Sequence, residues 1–599
     1  MADDMPHRLD VKPIPVSISM ADTLEIAGVE SQRPTLDLRS LYIALLAIGL
    51  GAVGMIAAVV LRSLIGLITN LCFYGRFSMT LVNPTVTHVG LWVVLIPVAG
   101  AIVVGIMARY GSKAIRGHGI PEAMETVILK QSKIPYRVTL LKPLSAAISI
   151  GTGGPFGAEG PIIATGGAVG SLVGQVLSIT ADERKTLLAA GAAAGMAATF
   201  GAPVAAVLLA VELLLFEFKA RSLVPVALAC ATAGGLRILV WGTAPMFAMG
   251  PVKPAGAVAM IFYVVLGALM GVVAAGVTRA VYAVEDGFEK WCPTHWMWWP
   301  AIGAVVVGIV GYFAPHTLGV GYDNISAALS VKSGLAALLA LAILKWVSWT
   351  VSLGTGTSGG TLAPLFTIGS ALGAAAGLGA VRYLPHADIS VPVAALVGMA
   401  ASFAGASRAL LTAVVFAFET TLQPLGLVPL LAGCGSAFLV SCMLMRQSIM
   451  TEKIARKGIR VHSEYAVDFL DRLFVGDAMQ PAVCLKASDT LLAARQQLLG
   501  QSGGDGHDLF PVLDEQGGLA GVIGWRDVFK PDLAVARPIA DVMKMRVIAI
   551  RPDQPLRDAD LAMARHCIGH LVVVAGERST EVVGIVTRSD ILRAHRERS

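Results

Sequence analysis

The chain is poor in charge. Only 14% of its 599 residues are Asp, Glu, Lys or Arg, against roughly 25% in an average soluble domain. A soluble protein of this length would divide into several domains with charged surfaces, and the deficit argues against that. Aromatic residues are also few, at 6%, and the net charge is only +6. No basic stripe with interleaved aromatics stands out, so a nucleic-acid surface is not expected. Cysteine is scarce and scattered. Cys72, Cys230, Cys292, Cys434 and Cys442 lie in apolar surroundings, and Cys484 and Cys567 lie near the C-terminal end. No two have metal-ligand spacing, and they are expected to be buried small side chains. No His-Glu-x-x-His run occurs, and His118 with Glu122 lacks a third ligand, so no enzyme, resident metal or required cofactor is expected. The polar first segment has no apolar core followed by a small-residue cleavage site. The first crossing helix is therefore expected to be the targeting signal itself.

Apolar residues, by contrast, make up 55% of the chain. Uncharged runs recur at 41–61, 91–108, 186–211, 254–278, 365–381 and 420–445. Each is near or above the roughly 17–25 residues that cross a bilayer as a helix. Three parts follow: a polar tail (1–39), a membrane-embedded part (40–460), and a region of soluble composition. Arg33 and Arg39 flank the first run, and Lys453, Arg456, Lys457 and Arg460 follow the last. Basic residues at helix exits favour the cytoplasm. The expected placement is a multi-pass protein of the cell (inner) membrane with both termini cytoplasmic and the lipid bilayer as its first partner.

The membrane part repeats itself. Gly195-Met-Ala-Ala-Thr-Phe200 resembles Gly398-Met-Ala-Ala-Ser-Phe403, and each precedes a short apolar helix ending in a carboxylate, Glu212 and Glu419. Earlier in each half stands another matching break, at 151–161 and 356–364. Corresponding Gly/Pro interruptions in two halves point to a substrate site between repeats. Non-helical backbone at membrane depth is tolerated only where it lines a cavity or is buried in protein. A helix beginning there aims unpaired N–H groups and its positive end into that cavity, and so binds anions without a full charge. That matters because conduction needs binding that is favourable but weak. Three such starts occur: Gly117-His-Gly-Ile-Pro121, Gly157-Ala-Glu-Gly-Pro161 and Gly359-Gly-Thr-Leu-Ala-Pro364. A fourth contribution is expected from the last membrane helix, near Ser448 and Met450. Glu159 sits at one of these starts, flanked by glycines. A carboxylate there would mimic and compete with the anion, and protonation would release it; intramembrane carboxylates are costly and usually functional. The bland alternative is a helix-capping Glu.

The order Gly-x-Gly-Ile-Pro-Glu, Gly-x-Glu-Gly-Pro and Gly-Gly-x-x-Ala-Pro, followed by a paired tail, resembles the CLC family of chloride channels and proton/chloride exchangers. The tail modules resemble CBS domains. The implied fold is an all-α polytopic membrane domain of two inverted repeats with broken helices, followed by a cytoplasmic α/β tandem CBS domain, and the implied assembly is a homodimer with one pathway per subunit. The implied transported ion is chloride or a similar small anion. Glu159 would be the gate. Backbone amides around Ala158, Glu159 and Gly160 would line the outer anion site, those of Thr361 and Leu362 the central one, with His118, Gly119 and Ile120 from the first motif. Several positions depart from the family pattern. His118 stands where a serine is common, Met450 where a tyrosine is common, and Thr361 and Leu362 replace more usual apolar and aromatic residues. A His can donate one hydrogen bond when neutral and adds charge when protonated. His118 is accordingly expected to contact the anion and make flux pH-sensitive near neutrality, unless its ring turns to a backbone carbonyl. Leu213 stands where proton-coupled members usually carry a second internal glutamate. That favours a passive channel over an exchanger without deciding between them, since Glu212 or Glu217 could carry the proton, or water could pass it.

The tail divides into a linker (461–475), a first module (476–530) and a second (531–599). Val475-Gly-Asp-Ala-Met479 and Ile539-Ala-Asp-Val-Met543 open the two, and each closes on a strand followed by a helix. Thr587 and Asp590 fit the positions that contact an adenine nucleotide in CBS modules. In the first module Asp527 is kept but Gly524 replaces the hydroxyl residue. The rival reading is a CBS-regulated metal-ion transporter. It would need convergent intramembrane carboxylates, whereas Glu159, Glu212, Glu217 and Glu419 stand apart in sequence.

Overall fold

Backbone polar groups inside a bilayer must find partners within the chain, so long apolar runs fold as helices. The structure, a computed structural model, describes residues 38–84, 90–177, 179–457, 470, 473–500, 508–531, 533–545, 547–576 and 579–596. Most of the expected N-terminal tail and of the linker 461–475 lies outside these. Among the described residues, seven helices are long and apolar enough to cross a membrane. One unit falls within 34–465 and the other within 466–599.

The first half of the membrane unit has eight helices: α1 (Leu38–Tyr74), α2 (Trp92–Ile106), α3 (Ile120–Leu129), α4 (Tyr136–Gly151), α5 (Glu159–Val176), α6 (Ala181–Phe200), α7 (Pro203–Leu209, continued by a π turn at Ala210–Leu215) and α8 (Ala220–Trp241). The second repeats the order: α9 (Ala257–Trp291), α10 (Trp299–Phe313), α11 (Tyr322–Leu329), α12 (Leu335–Gly354), α13 (Leu362–Tyr383), α14 (Val391–Ser407), α15 (Leu410–Thr421) and α16 (Leu427–Leu444). A four-residue helix, α17 (Glu452–Ala455), follows. Ser448 and Met450, expected on the last membrane helix, are thus corrected to the segment between α16, which ends at Leu444, and the single turn that begins at Glu452. The apolar run 186–211 is likewise not one span, because Gly201, at φ 67°, ends α6 and Pro203 starts α7.

Packing follows the same repeat. Helix α1 packs on α4, α6 and α8, and α9 packs on α12, α14 and α16. The pairs α5/α6 and α13/α14 are the most intimate, because glycines let their backbones touch: Gly166 against Gly191, and Gly373 against Gly398. Helices α1 and α9, at 37 and 35 residues, are longer than a roughly 30 Å hydrocarbon layer requires, which leaves room for tilt or for ends that project beyond it.

Two contacts fix the relation between the halves. Glu212, at the C-terminal end of α7 and its π turn, accepts the N–H groups of Leu411 (3.0 Å) and Thr412 (2.9 Å) at the start of α15. Glu419, near the C-terminal end of α15, accepts those of Val204 (3.1 Å) and Ala205 (2.8 Å) at the start of α7. Each element caps the first turn of its own counterpart, so the two run antiparallel. An axis relating antiparallel equivalents lies across them, which makes the repeats inverted.

In the soluble unit each module has a three-stranded sheet: β1 (Leu485–Lys486), β2 (Leu509–Leu513) and β3 (Leu519–Gly524), then β4 (Ala549–Ile550), β5 (His570–Val574) and β6 (Val582–Thr587). In each the first pair is parallel and the second antiparallel. The modules exchange lead-in segments. Gln480 bonds to Ile585 of β6 (2.8 and 2.9 Å), and Lys544 to Val522 of β3 (2.8 and 3.0 Å). Among the cysteines, only Cys230 and Cys434 are buried; Cys442 and Cys567 are exposed, contrary to expectation.

Candidate functional site

The three breaks meet. Gly117 and Gly119 take φ of 88° and 92°, which only glycine adopts without strain, and they turn the chain into α3. Glu122 secures that turn by accepting the Gly119 N–H at 2.7 Å. Gly157 and Gly360, equivalent residues of the two halves, pair antiparallel, with the Gly360 N–H 3.0 Å from the Gly157 carbonyl and the reverse bond at 3.4 Å. Gly117 pairs with Ser358. A Cβ on Gly160 would overlap the His118 carbonyl oxygen. Helices α3, α5 and α13 therefore start at one place, and their positive ends converge.

Glu159 lies there. It is the first residue of α5 and has no exposed surface. Its carboxylate folds back over Gly157 and lies against Gly360, where a Cβ would come within 2.8 Å of Oε2. Oε1 accepts a hydrogen bond from the Tyr322 hydroxyl at 3.1 Å. Oε2 is buried without a hydrogen-bond partner, as are Nδ1 of His118 and Oγ1 of Thr361. Buried polar atoms are almost always satisfied. These three, exceptions among others elsewhere in the described residues, come from the three converging breaks and are open to a polar guest there. His118 does not turn Nδ1 to a backbone carbonyl. Ile120, Ala158, Gly160 and Leu362 are buried around these starts. Leu362 is the second-half counterpart of Glu159, so only one half brings a carboxylate.

Sequence reasoning missed three residues here: Lys142, Lys345 and Tyr322. Lys142 on α4 is buried and donates to the carbonyls of Ile115 (2.8 Å) and Gly117 (2.9 Å). Lys345 on α12 is buried and donates to those of Thr317 (2.9 Å) and Gly319 (3.1 Å). Each holds in shape the loop before a short helix, α3 or α11. The signal was present in the sequence: Gly117-x-Gly-Ile matches Gly319-x-Gly-Tyr, and each lysine stands equally far before the glycine that ends its helix, Gly151 or Gly354.

The remaining candidates lie elsewhere. Both oxygens of Glu212 are engaged in capping α15, with the Thr412 hydroxyl added at 2.5 Å, and its neighbour Leu213 is buried. Glu217 sits in a separate polar group with Ser222 (2.7 Å), Lys219 (3.6 Å) and Lys185 (3.8 Å). The carboxylates at 159, 212 and 419 thus have separate partners and do not converge. Met450 is fully buried on the segment leading into α17, with its N–H 3.3 Å from Ser448 Oγ. Helix α17 packs on α3. Lys453 pairs with Glu122 at 2.8 Å, and Lys457 just beyond the helix pairs with Glu125 at 2.6 Å. A cavity of about 690 Å³ opens beside the first break, lined by His118, Gly119, Glu122, Lys142, Tyr282 and Lys453 among others. In the soluble unit, the Thr587 hydroxyl and N–H both bond to Asp590 Oδ2 (2.7 and 2.8 Å), and Arg593 pairs with Asp590 at 3.1 Å. Asp527 lies 3.7 Å from Lys544.

A membrane unit of two inverted halves whose broken helices aim their positive ends at one buried point belongs to the class of transmembrane transport proteins built on a site between repeats. The chain belongs to the voltage gated chloride channel family, whose description matches residues 99–442, and it carries CBS domains at 475–532 and 539–597. It is 28% identical over 356 residues to the H(+)/Cl(-) exchange transporter ClcA of Salmonella arizonae, covering 58% of this chain and 75% of that protein. Its fold is similar to that of a slow cyanobacterial Cl−/H+ antiporter, with a TM-score of 0.61 and 23% identity over 71% of this chain and 99% of the other. A eukaryotic CLC transporter gives a TM-score of 0.56 and 20% identity over 92% and 97%.

Proposed function

We propose that this protein carries small anions, chloride foremost, across the cell membrane as a homodimer with one pathway per subunit, and that Glu159 is its gate. One observation carries the reading: a fully buried carboxylate stands where three helix starts converge. In the shut state the carboxylate takes the anion's place. Protonation removes the charge that the helix ends attract, the side chain leaves, and an anion takes its position. That anion would meet backbone N–H groups around Ala158, Glu159 and Gly160 on one side and around Thr361 and Leu362 on the other, with His118 and Thr361 as side-chain donors. The reading gives the anion no direct lysine ligand: Lys142 and Lys345 each commit two of their three donors to backbone carbonyls. Binding therefore stays weak enough for release. Lys453 and Lys457, with Arg456, follow α16, which supports a cytoplasmic exit for the last crossing.

On coupling, the reading favours anion passage without strict proton counter-movement. Leu213 carries no proton, and Glu212 and Glu217 are occupied by other partners. The relative named as an exchange transporter is the observation on the other side. Anion efflux from liposomes with simultaneous pH recording, in wild type and Glu159→Ala, separates the two. Chloride flux without proton movement in the wild type supports conduction. Stoichiometric proton counter-movement lost in Glu159→Ala would establish exchange. No chloride flux, with divalent-cation uptake instead, would overturn the reading in favour of the metal-ion rival. For the tail we propose an adenine-nucleotide site at the second module, built on Thr587 and Asp590. A thermal shift with ATP or AMP that Asp590→Ala abolishes is expected.

A further inference from the structure

Tyr322 begins α11 at the second-half position that matches Ile120. Gly319 and Gly321, at φ 64° and 78°, turn the chain into it as Gly117 and Gly119 do in the first half. Lys345 fixes the turn through the Thr317 and Gly319 carbonyls. The ring is wedged edge-on between Phe200 and Phe247, with centroids 5.8 and 6.0 Å away. Phe200 in turn packs on Phe416, and Phe416 stacks on Phe366 of α13. The hydroxyl is thus placed by aromatic packing that does not involve Glu159, yet it donates to Glu159 Oε1. Ile120 offers no such donor. The charged and titratable groups acting on the carboxylate are Tyr322 and Lys345, both from the second half.

We propose that Tyr322 is a shared ligand of the pathway: its hydroxyl holds the Glu159 carboxylate when the gate is shut, and donates the same hydrogen bond to the small anion that replaces it. The proposal rests on the reading of Glu159 as the gate. Its physical ground is that the donor stays when the carboxylate leaves. A buried hydroxyl left without an acceptor is unfavourable, and an anion arriving at the vacated position supplies one. Tyr322 would then act with opposite sign in the two states, resisting opening and favouring anion binding once the site is open.

The test is a cycle of Tyr322→Phe with Glu159→Ala, which keeps the ring packing and removes only the hydroxyl. Chloride efflux is measured from liposomes, and chloride binding by calorimetric titration of sodium chloride into the purified full chain. With Glu159 present, Tyr322→Phe is expected to raise efflux about tenfold, the order of one hydrogen bond to a charged group. In the Glu159→Ala background it is expected to weaken chloride binding several-fold. An equal fold-loss of efflux in both backgrounds would reduce Tyr322 to a packing residue, and unchanged chloride binding in the Glu159→Ala background would also overturn the proposal. If Glu159→Ala alone fails to raise efflux, the gate reading itself falls and takes this one with it.

Discussion

Gly157→Ala is a steric test of the gate that leaves the glutamate in place. The three atoms nearest to a Cβ built on Gly157 all belong to the carboxyl end of Glu159, and the overlap is severe. Gly157 does not lie in the left-handed region, so alanine adopts its backbone without strain. The methyl group can therefore be accommodated only by moving the carboxylate out of its seat. What the shut state loses is at least the hydrogen bond from Tyr322, 3.1 Å long and made to a charged acceptor. Such bonds contribute about 1.5–3 kcal/mol. With about 1.4 kcal/mol per factor of ten, the ratio of open to shut rises by roughly ten- to hundredfold. The assay is chloride efflux from liposomes loaded at fixed pH, comparing wild type, Gly157→Ala, Glu159→Ala and the double variant. Gly157→Ala should approach the efflux of Glu159→Ala. The double variant should match Glu159→Ala alone, because the methyl group then meets nothing. Wild-type efflux in Gly157→Ala, or an added effect in the double variant, would refute the idea that the carboxylate sits in the conduction path.

Glu212→Ala removes a two-oxygen cap from α15, which costs about 1–2 kcal/mol; a lower unfolding midpoint in detergent is expected, with the chloride-to-proton ratio unchanged. A changed ratio would instead place Glu212 on a proton route. Lys345→Met leaves the Thr317 and Gly319 carbonyls buried without a donor, at about 1–3 kcal/mol each. It should lower thermal stability and raise basal chloride efflux, because the turn holding Tyr322 loosens. Lys453→Ala leaves Glu122 as an unbalanced negative charge beside the cavity, so chloride flux should fall several-fold at low ionic strength. Screening by an impermeant salt should narrow that loss, and adding Glu122→Gln should restore flux.

Much of the architecture was legible because it depends on local pattern. Loss of charge over 17 or more residues marks a crossing helix wherever it folds, and Gly/Pro breaks within such runs mark irregular backbone. The repeat at 195–200 and 398–403 is legible for the same reason: identical packing against small residues needs similar small residues. The third repeat, Gly117-x-Gly-Ile against Gly319-x-Gly-Tyr, is too short to stand out, because two glycines two apart are common in a chain with 65 of them. The run 186–211 counts as one stretch by absence of charge alone, whereas a glycine at positive φ and a proline divide it into two helices.

What the sequence alone determined is the membrane unit, its two halves, the three helix starts, the carboxylate at one of them and the α/β pair that follows. Each is a property of neighbouring residues, written in composition and spacing. Only the tertiary structure decided which starts meet and what meets Glu159. The pairing of Gly157 with Gly360, the reciprocal caps of Glu212 and Glu419, and the bond from Tyr322 join residues 163 to 215 positions apart. No local pattern encodes them. They follow from a two-fold relation between inverted halves, which brings equivalent residues together at the axis and lets one half place a hydroxyl on the carboxylate of the other.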